Sequence, residues 1–201
     1  QCRYRPRRAQ TVRLECVSAV AEVDVVVVGS GFSGIGMAVA LKAAGRSFVI
    51  LEKGDEIGGT WRENRYPGVA CDVPSHLYSF SFDLNPYWSH TYSSGDVIQD
   101  YLLSVVEKHG LREHVRFDSW MQAAAYDDAS GTWQVTSIGS DGSVSVVTAR
   151  ALVLGVGAGQ LPERRPRGPE IVGDGQGARP GLAPVFEALF RLQGDARGTL
   201  L

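Results

Sequence analysis

The pattern of hydrophobic and polar positions predicts alternating strands and helices near the start of the chain. A run rich in β-branched residues, 23–28, ends at a glycine and is typical of a buried parallel strand. Apolar side chains then recur at helical spacing over 31–44, and Gly45 ends that pattern. A second apolar run, 47–51, predicts another strand. Together they predict one βαβ unit, for which a right-handed crossover is expected.

The middle of the chain consists of a long irregular stretch followed by a second helical pattern. Residues 54–95 lack sustained periodicity, and an irregular segment of this length is uncommon in a compact domain unless it is functional. A helix is predicted from there to Gly110, with Asp96 as its N-cap and Gln99 as the capping-box partner. The run 115–117 is a candidate third strand of the parallel sheet.

Shorter alternating segments beyond this helix predict a small antiparallel β-meander. Its strands are expected at 123–126, 133–137 and 144–148, joined by turns rich in Gly, Asp and Ser. A separate buried strand, 151–156, again ends in glycines. The predicted class is therefore α/β, with a Rossmann-like domain that combines a parallel sheet, a crossover helix and a meander.

The two ends of the chain differ in composition from its centre. Residues 1–21 begin with a basic stretch that has no acid before Glu15, which predicts a disordered, solvated tail, with a transit peptide as the alternative. Residues 22–158 hold the predicted domain. Gly, Pro and Arg are frequent in 159–201, where no strand is evident and only 184–192 has a short helical pattern, so an irregular, poorly ordered segment is expected there.

Composition excludes several classes of function. The chain has 201 residues, of which 44% are hydrophobic and 21% charged, and its net charge of -2 gives no general attraction to nucleic acid or anionic membranes. No apolar run approaches the roughly 20 residues that span a bilayer. The three cysteines lack zinc-ligand spacing and cannot all pair, so neither a metal site nor a disulfide scaffold is expected. A reducing cytoplasm is the predicted location.

Three glycines follow the first predicted strand in the pattern of a dinucleotide-binding turn. Gly29 permits the tight turn, Gly31 lets the backbone approach a diphosphate, and Gly34 lets the helix pack closely on the strand. The helix that begins near Gly31 presents free N–H groups and the positive end of its dipole to such an anion. Similar turns also occur in βα units that bind no ligand, so this pattern alone leaves both interpretations open.

Glu52 favours the nucleotide-binding interpretation. It ends the second predicted strand and lies close to the spacing of about 20 residues expected after the glycine turn. A carboxylate there accepts hydrogen bonds from ribose hydroxyls and repels a 2′-phosphate, so the site is expected to hold FAD or NAD and to reject NADP. The alternative is a solvated pair of Glu52 with Lys53 at the strand end.

A second pair of glycines, Gly58 and Gly59, discriminates between flavin and nicotinamide. A further backbone segment that approaches closely suits the long FAD molecule, whereas NAD domains need no such loop. Trp61 follows at once and offers a flat apolar wall for a ring system. An ordinary buried tryptophan is the alternative interpretation.

At this point the chain resembles a known family. Residues 23–157 are similar to the N-terminal FAD-binding part of the Baeyer–Villiger flavoprotein monooxygenases, in particular the phenylacetone and 4-hydroxyacetophenone monooxygenase type. The similarity lies in the glycine turn, Gly-Gly-Thr-Trp at 58–61, Asn-Arg-Tyr-Pro-Gly at 64–68 and Cys71-Asp72. Tyr-Ser-Phe-Ser-Phe at 78–82, Trp88 and Ser94 also fit. The related flavin-containing monooxygenases share the glycine turn and a Gly-Gly-x-Trp, but do not usually show the motif at 64–68 followed by Cys71-Asp72.

The resemblance implies a role for each matching residue. It assigns the FAD diphosphate to the glycine turn and Ser33, and the adenosine ribose to Glu52. Near the flavin and its linker it places Gly59, Thr60, Trp61 and Tyr78. Met121 takes the position whose backbone meets adenine, and the run 155–157 returns to FAD.

Asp72 is the candidate catalytic residue. The resemblance implies that it lies beside the flavin, near the nicotinamide, in the pocket where oxygen is activated. From its chemistry alone, a carboxylate in this loop can orient a cation that stabilises developing negative charge on oxygen. The alternative is an Asx-turn that closes the loop through Pro74. His76 is interpreted as a partly exposed loop histidine.

The sequence departs from the family's pattern after the first domain. A Phe-x-Gly-x-x-x-His-x-x-x-Trp signature normally precedes the NADPH domain, and Phe186 is followed by neither the His nor the Trp. The resemblance therefore predicts a chain truncated, or shifted in reading frame, before the NADPH domain. The run 173–178 fits Gly-x-Gly-x-x-Ala, but Pro180 blocks the helix that a nucleotide site needs.

Four functional hypotheses follow. The first is the FAD-binding portion of a monooxygenase that uses NADPH and O₂ to insert oxygen beside a ketone. The second is a fragment that binds FAD weakly or not at all and catalyses nothing. The third is a related enzyme that oxygenates nitrogen or sulfur, and the fourth is a plain NAD-binding module. None of them involves a nucleic acid or a membrane.

Overall fold

The computed structural model describes residues 17–157 and 170–172. In that part of the chain, two 3₁₀ turns (Ser75–Leu77 and Arg112–His114) accompany three helices and seven strands. The helices are α1 (Phe32–Ala43), α2 (Thr60–Glu63) and α3 (Gly95–Lys108). The strands are β1 (Val17–Val28), β2 (Phe48–Leu51), β3 (Val115–Arg116), β4 (Ser119–Asp127), β5 (Thr132–Gly139), β6 (Val144–Leu154) and β7 (Glu170–Val172).

All seven strands belong to one mixed sheet in the order β3-β2-β1-β6-β5-β4-β7. Strands β3, β2, β1 and β6 are parallel neighbours, whereas β6, β5 and β4 form an antiparallel meander. The βαβ unit, the third parallel strand and the meander agree with the sequence prediction. Parallel strands need crossovers, and α1 supplies the one between β1 and β2.

Strands β1 and β2 are buried on both faces. Val25, Val27 and Ile50 point to a cluster that includes side chains of α1 and α3, while Val26 and Leu51 point to the meander. Alternate residues of a strand face opposite sides of a sheet, so each strand contributes to two hydrophobic clusters. This explains the continuous valine run in β1, which a strand exposed on one face would not show.

Strand β6 corrects the sequence prediction. We expected two strands, at 144–148 and 151–156, but a single strand runs through Val144–Leu154. Its first part pairs with β5 on one side, and almost its whole length pairs with β1 on the other. The pairs Val23–Ala149 and Val25–Ala151 continue the ladder with β1 across Ala149 and Arg150, the two residues that we took for a break.

Strand β7 is a second difference. Glu170–Val172 pairs in parallel with Ala123–Ala125 of β4, in a stretch for which no strand was evident. Two β-branched residues, Ile171 and Val172, suit such a position. The decoy glycine run 173–178 and the helical pattern 184–192 lie outside the described residues.

The start of α3 was also predicted wrongly. The helix begins at Gly95 with Ser94 as its N-cap, and Asp96 lies in the first turn. Gln99 makes no capping box, because its Nε2 donates to the carbonyl oxygen of Ile57 at 2.5 Å. A hydrogen bond to the second glycine loop thus replaces the local one that the sequence spacing indicated.

Candidate functional site

The first glycine turn has almost no free space around it. Gly29 adopts a φ of +93°, and a Cβ on it would lie 2.6 Å from the carbonyl oxygen of Gly155. A Cβ on Gly34 would collide with the carbonyl oxygen of Gly29. The amide of Gly155 donates to Val28 at 2.7 Å, which brings residues 155–157 to this turn. The close packing therefore requires glycine at 29 and at 34.

The N-terminus of α1 opens beside this turn. Its N-cap is Gly31, which has no side chain to cap the helix, and the first helical hydrogen bond is donated by Ile35 to Gly31 at 3.0 Å. The amides before Ile35 therefore lack an intrahelical acceptor, as at any helix start. Ser33 lies in this first turn and is exposed. These are donors suited to an anion.

Glu52 lies at the end of β2 with its side chain turned toward the first glycine turn. It is only 5% exposed. One carboxylate oxygen, Oε2, accepts from the Ser30 amide at 2.9 Å and from the Ser30 hydroxyl at 2.5 Å. The other, Oε1, accepts from the Gly54 amide at 2.8 Å. Lys53 pairs with Glu63 at 2.8 Å, so the alternative of a solvated Glu52–Lys53 pair does not describe this site.

The second glycine loop contacts the first directly. The Gly58 amide donates to the Ser30 carbonyl oxygen at 3.2 Å. A Cβ on Gly59 would lie 3.1 Å from the Cα of Gly31, so the two loops approach at a distance that a larger residue would widen. The first turn, Glu52 and the tryptophan-bearing loop therefore converge in space.

Ser30 is the residue that the sequence analysis missed. Its amide and hydroxyl donate to Glu52, and its carbonyl oxygen accepts from Gly58, so it joins all three parts of the site. It occupies a variable position of the glycine pattern. The only indication in the sequence was that a serine hydroxyl in this turn can donate to the carboxylate of Glu52.

Trp61 is mostly enclosed. It is 9% exposed and packs with Cys71, Ile98 and Leu102. Its Nε1 donates to the Tyr78 hydroxyl at 3.2 Å, and the two rings meet edge to face. The indole is therefore largely a core group beneath the loop, while the adjacent Thr60 is exposed.

Asp72 lies on the surface of the long loop. It is exposed, and among the described residues its carboxylate has no hydrogen-bond partner, so the Asx-turn alternative is not formed. The turn that carries it is held from behind by Ser75, whose hydroxyl donates toward Ser93 and whose amide donates to Thr91. His76 is also exposed, in keeping with its interpretation as a loop histidine.

Backbone hydrogen bonds hold the start of β4, the strand that carries Met121, next to Glu52. The Ser119 amide donates to the Glu52 carbonyl oxygen at 2.8 Å, and the Asp118 amide donates to Gly54 at 2.9 Å. The meander thus returns to the end of β2. Met121 is 2% exposed with its side chain in the core.

A cavity of about 680 Å³ borders the second glycine loop's helix, α2, at Trp61. It lies between residues 64–70 and the first turns of α3, and Trp61 is the candidate site residue that lines it. No cluster of metal-ligating side chains occurs within the described ranges. The helices described there also lack the length and apolar character that crossing a bilayer requires.

The fold and site define a Rossmann-like dinucleotide-binding domain, and comparisons with known proteins agree. A family profile described as an NAD(P)-binding Rossmann-like domain matches residues 27–95. A Baeyer–Villiger monooxygenase of Streptomyces coelicolor is 45% identical over 152 residues, 75% of this chain and 28% of that protein. An FAD-binding monooxygenase of Aspergillus niger is 45% identical over 113 residues, 55% of this chain and 19% of the relative.

A solved structure shows the same relationship. Cyclohexanone monooxygenase from Rhodococcus bound to NADP+ matches with a TM-score of 0.64 and 39% identity, over 69% of this chain and 26% of that one. Over the part that it shares with them, the chain is therefore similar to the Baeyer–Villiger and cyclohexanone monooxygenases. It spans about a quarter of the length of the relatives it matches.

Proposed function

We propose that this chain binds FAD at the junction of the two glycine loops. The observation that carries the proposal is the set of hydrogen bonds at Ser30, which joins the first turn to Glu52 and to Gly58. A long dinucleotide needs several backbone segments at close approach, and two glycine loops in contact provide them. A Cβ on Gly31 would meet only the Cα of Gly59, at 3.8 Å, so the backbone of the first turn leaves room for such a ligand.

This site offers hydrogen-bond donors and acceptors to the adenosine half of FAD. The first turn of α1, with Gly31, Ser33 and Gly34, would hold the diphosphate, because its amides are not capped by a side chain. Glu52 would accept from the ribose. Its carboxylate is enclosed and would repel a 2′-phosphate, which favours FAD over NADP at this site. Met121 would offer only its backbone to adenine, since its side chain is in the core.

The flavin end is assigned to the long loop. Gly59 and Thr60 would contact the flavin or its linker, with Trp61 and Tyr78 as a packed support for them. Asp72 would act as the catalytic carboxylate by orienting a cationic group in the reaction pocket. An exposed carboxylate without an internal partner is available for that task.

For the whole protein we propose an oxygenation that uses NADPH and O₂. When bound, FAD supplies the redox chemistry, and the protein contributes binding, orientation and electrostatics. A ketone is the proposed substrate, because the names of the relatives are those of Baeyer–Villiger and cyclohexanone monooxygenases. A cytoplasmic location is proposed with it. Oxygenation of amines or sulfides instead of ketones would favour the related flavin-containing type.

The direct test is flavin binding by the purified chain. We expect FAD titration to give saturable quenching of flavin fluorescence, and Glu52→Ala to weaken it at least about tenfold, as loss of a hydrogen bond to a charged group implies. Glu22→Ala, remote in sequence from the glycine turn, is the control. No binding by the wild-type chain would refute the proposal.

NADPH consumption separates the remaining hypotheses. A chain that binds FAD but does not oxidise NADPH acts as a binding fragment of the larger enzyme. Oxidation of NADPH by the chain alone would contradict the view that catalysis needs the rest of the monooxygenase.

A further inference from the structure

Residues 78–83 form a strap that lies against the start of α1 and the end of α3. Phe80 packs on Phe32, the first residue of α1, with ring centroids 5.0 Å apart. Phe82 stacks on Phe80 at 4.8 Å and meets His109, the C-cap of α3, edge to face at 5.6 Å. The strap therefore connects two helices that are far apart in sequence.

Asp83 ends this strap with a carboxylate that is only partly satisfied. Its side chain is 13% exposed, and Oδ1 accepts from Lys108 Nζ at 2.7 Å. The other oxygen, Oδ2, is buried and has no hydrogen-bond partner among the described residues. A buried carboxylate oxygen without a donor costs free energy, so Oδ2 requires one.

The imidazole of His109 is placed to supply that donor. Its Nε2 lies 3.4 Å from Asp83 Oδ2 and is itself buried without a hydrogen-bond partner in the described part of the chain. A neutral imidazole carries its proton on one nitrogen and has a lone pair on the other. With the proton on Nδ1, two buried lone pairs would face each other, whereas a proton on Nε2 satisfies both atoms.

We propose that His109 carries a proton on Nε2 and donates a hydrogen bond from it to Asp83 Oδ2, so that the pair is a latch that holds the strap on both helices. Lys108 and His109 then donate to different oxygens of one carboxylate. The latch bears on the candidate site, because Tyr78 begins the strap and its ring meets that of Phe32 at 4.9 Å. It belongs to the free chain and does not depend on the binding of FAD.

The position of the proton is measured by nitrogen-15 NMR of the histidine-labelled full chain at alkaline pH, where an imidazole is neutral. The protonated nitrogen and the lone-pair nitrogen of a neutral ring differ widely in chemical shift, and the signals of His109 are those lost in His109→Leu. We expect its Nε2 in the wild type to have the shift of a protonated nitrogen.

Asp83→Asn should reverse this tautomer. The side-chain oxygen of asparagine still accepts from Lys108, so its amide nitrogen faces His109 Nε2 and donates to it. The imidazole proton should therefore move to Nδ1. A wild-type ring protonated on Nδ1, or an unchanged tautomer in Asp83→Asn, would overturn the inference.

His114 provides a matched control. Its Nε2 is also buried without a hydrogen-bond partner among the residues that the structure describes, and Glu113 Oε1 lies 3.7 Å away. The side chain of Glu113 is 76% exposed, so water competes for its carboxylate. Glu113→Gln should therefore leave the tautomers of His109 and His114 unchanged. A change at His109 equal to that in Asp83→Asn would show that the effect is not specific to the pair.

Amide hydrogen exchange tests whether the pair holds the strap. The Phe80 amide donates to the Tyr101 hydroxyl at 2.8 Å, and the Asp83 amide donates to the Phe80 carbonyl oxygen at 3.0 Å. His109→Leu leaves Asp83 Oδ2 without a donor, which should speed exchange of both amides about tenfold or more. Exchange at the wild-type rate would mean that the strap is held without the latch.

A rescue variant and a reference amide separate the latch from general destabilisation. His109→Gln returns an N–H donor at this position and should recover most of the protection. The Cys71 amide, which donates to Ser93 at 3.0 Å in the same long loop, should exchange at the wild-type rate in both variants. Equal acceleration at Cys71, or no rescue by glutamine, would overturn the latch.

Discussion

The βαβ unit and the long loop of residues 54–95 are stabilised in different ways, although both contribute to one site. In the βαβ unit, ladder hydrogen bonds and buried valines determine the geometry, with glycines where the backbone has no room. In the loop, individual side chains determine the geometry. The Tyr101 hydroxyl forms hydrogen bonds with the backbone of Phe80 and Asp83, and Gln99 forms one with the backbone of Ile57. Substitutions in the βαβ unit should therefore act by filling space beside the backbone. Substitutions that affect the loop should act by removing individual polar contacts.

The largest effect is expected at Gly29. In Gly29→Ala, the new side chain sits on a backbone with a strained positive φ and also collides with Gly155. Gly142 has a similar φ of +82°, but the space around it is open, so Gly142→Ala has only the strain. We expect Gly142→Ala to cost about 1–2 kcal/mol for the left-handed conformation alone. Overpacking should add about 1–3 kcal/mol at Gly29. Chemical denaturation measures both, and equal losses would show that space around Gly29 is not limiting.

A smaller effect is expected when Tyr101 loses its hydroxyl. That group accepts from the Phe80 amide at 2.8 Å and donates to the Asp83 carbonyl oxygen at 2.7 Å. Tyr101→Phe leaves both backbone groups without this partner, which should cost about 1–3 kcal/mol in unfolding free energy. Tyr87→Phe serves as the control, because Tyr87 is 89% exposed. A loss no greater than that of Tyr87→Phe would contradict the view that side chains organise the loop.

Gln99 should affect local order more than global stability. Gln99→Met removes the donor to Ile57 but also removes Oε1, which is buried without a hydrogen-bond partner among the described residues. These two changes offset each other, so the net loss should be about 1 kcal/mol or less. Hydrogen exchange of amides 57–61 should nevertheless quicken, relative to the same substitution at the exposed Gln134. Unchanged exchange would mean that the loop is held by other contacts.

The smallest effect concerns an ion pair that links the loop to the turn before β3. Arg112 donates to both oxygens of Glu56 at 2.9 Å, and this hydrogen bonding lowers the pKa of Glu56 despite partial burial. A lowered folded-state pKa gives stability that is present above the unfolded value and is lost as pH falls through the folded value. Because both side chains are partly exposed, Arg112→Gln should cost less than about 1 kcal/mol at pH 7.

The pH dependence of that variant provides the check. Unfolding free energies of the wild type and Arg112→Gln should converge as the pH falls below the ordinary Glu range of about 4.5. Other carboxylates titrate in both proteins and therefore cancel in the difference. A difference that stayed constant down to acid pH would assign the effect of Arg112 to packing against Phe117 instead.

The same contrast explains which parts of the molecule the sequence predicted. The βαβ unit and its glycines were predictable because periodicity and backbone space are local properties. The N-cap at Ser94 was missed because the partner of Gln99 is Ile57, far away in sequence. Ser30 was missed because its importance depends on Glu52 and Gly58 arriving at the same point. The continuity of β6 was missed because it depends on pairing with β1, which is far away in sequence.

Strand β6 has a mechanical consequence. It is at once a member of the parallel sheet and the first partner of the meander, and its ladder with β1 extends from Val144 to Leu154. A hinge between the parallel sheet and the meander would have to break hydrogen-bonded pairs on both sides of β6. Motions of the protein should therefore leave this unit unbent and pivot at connections outside it.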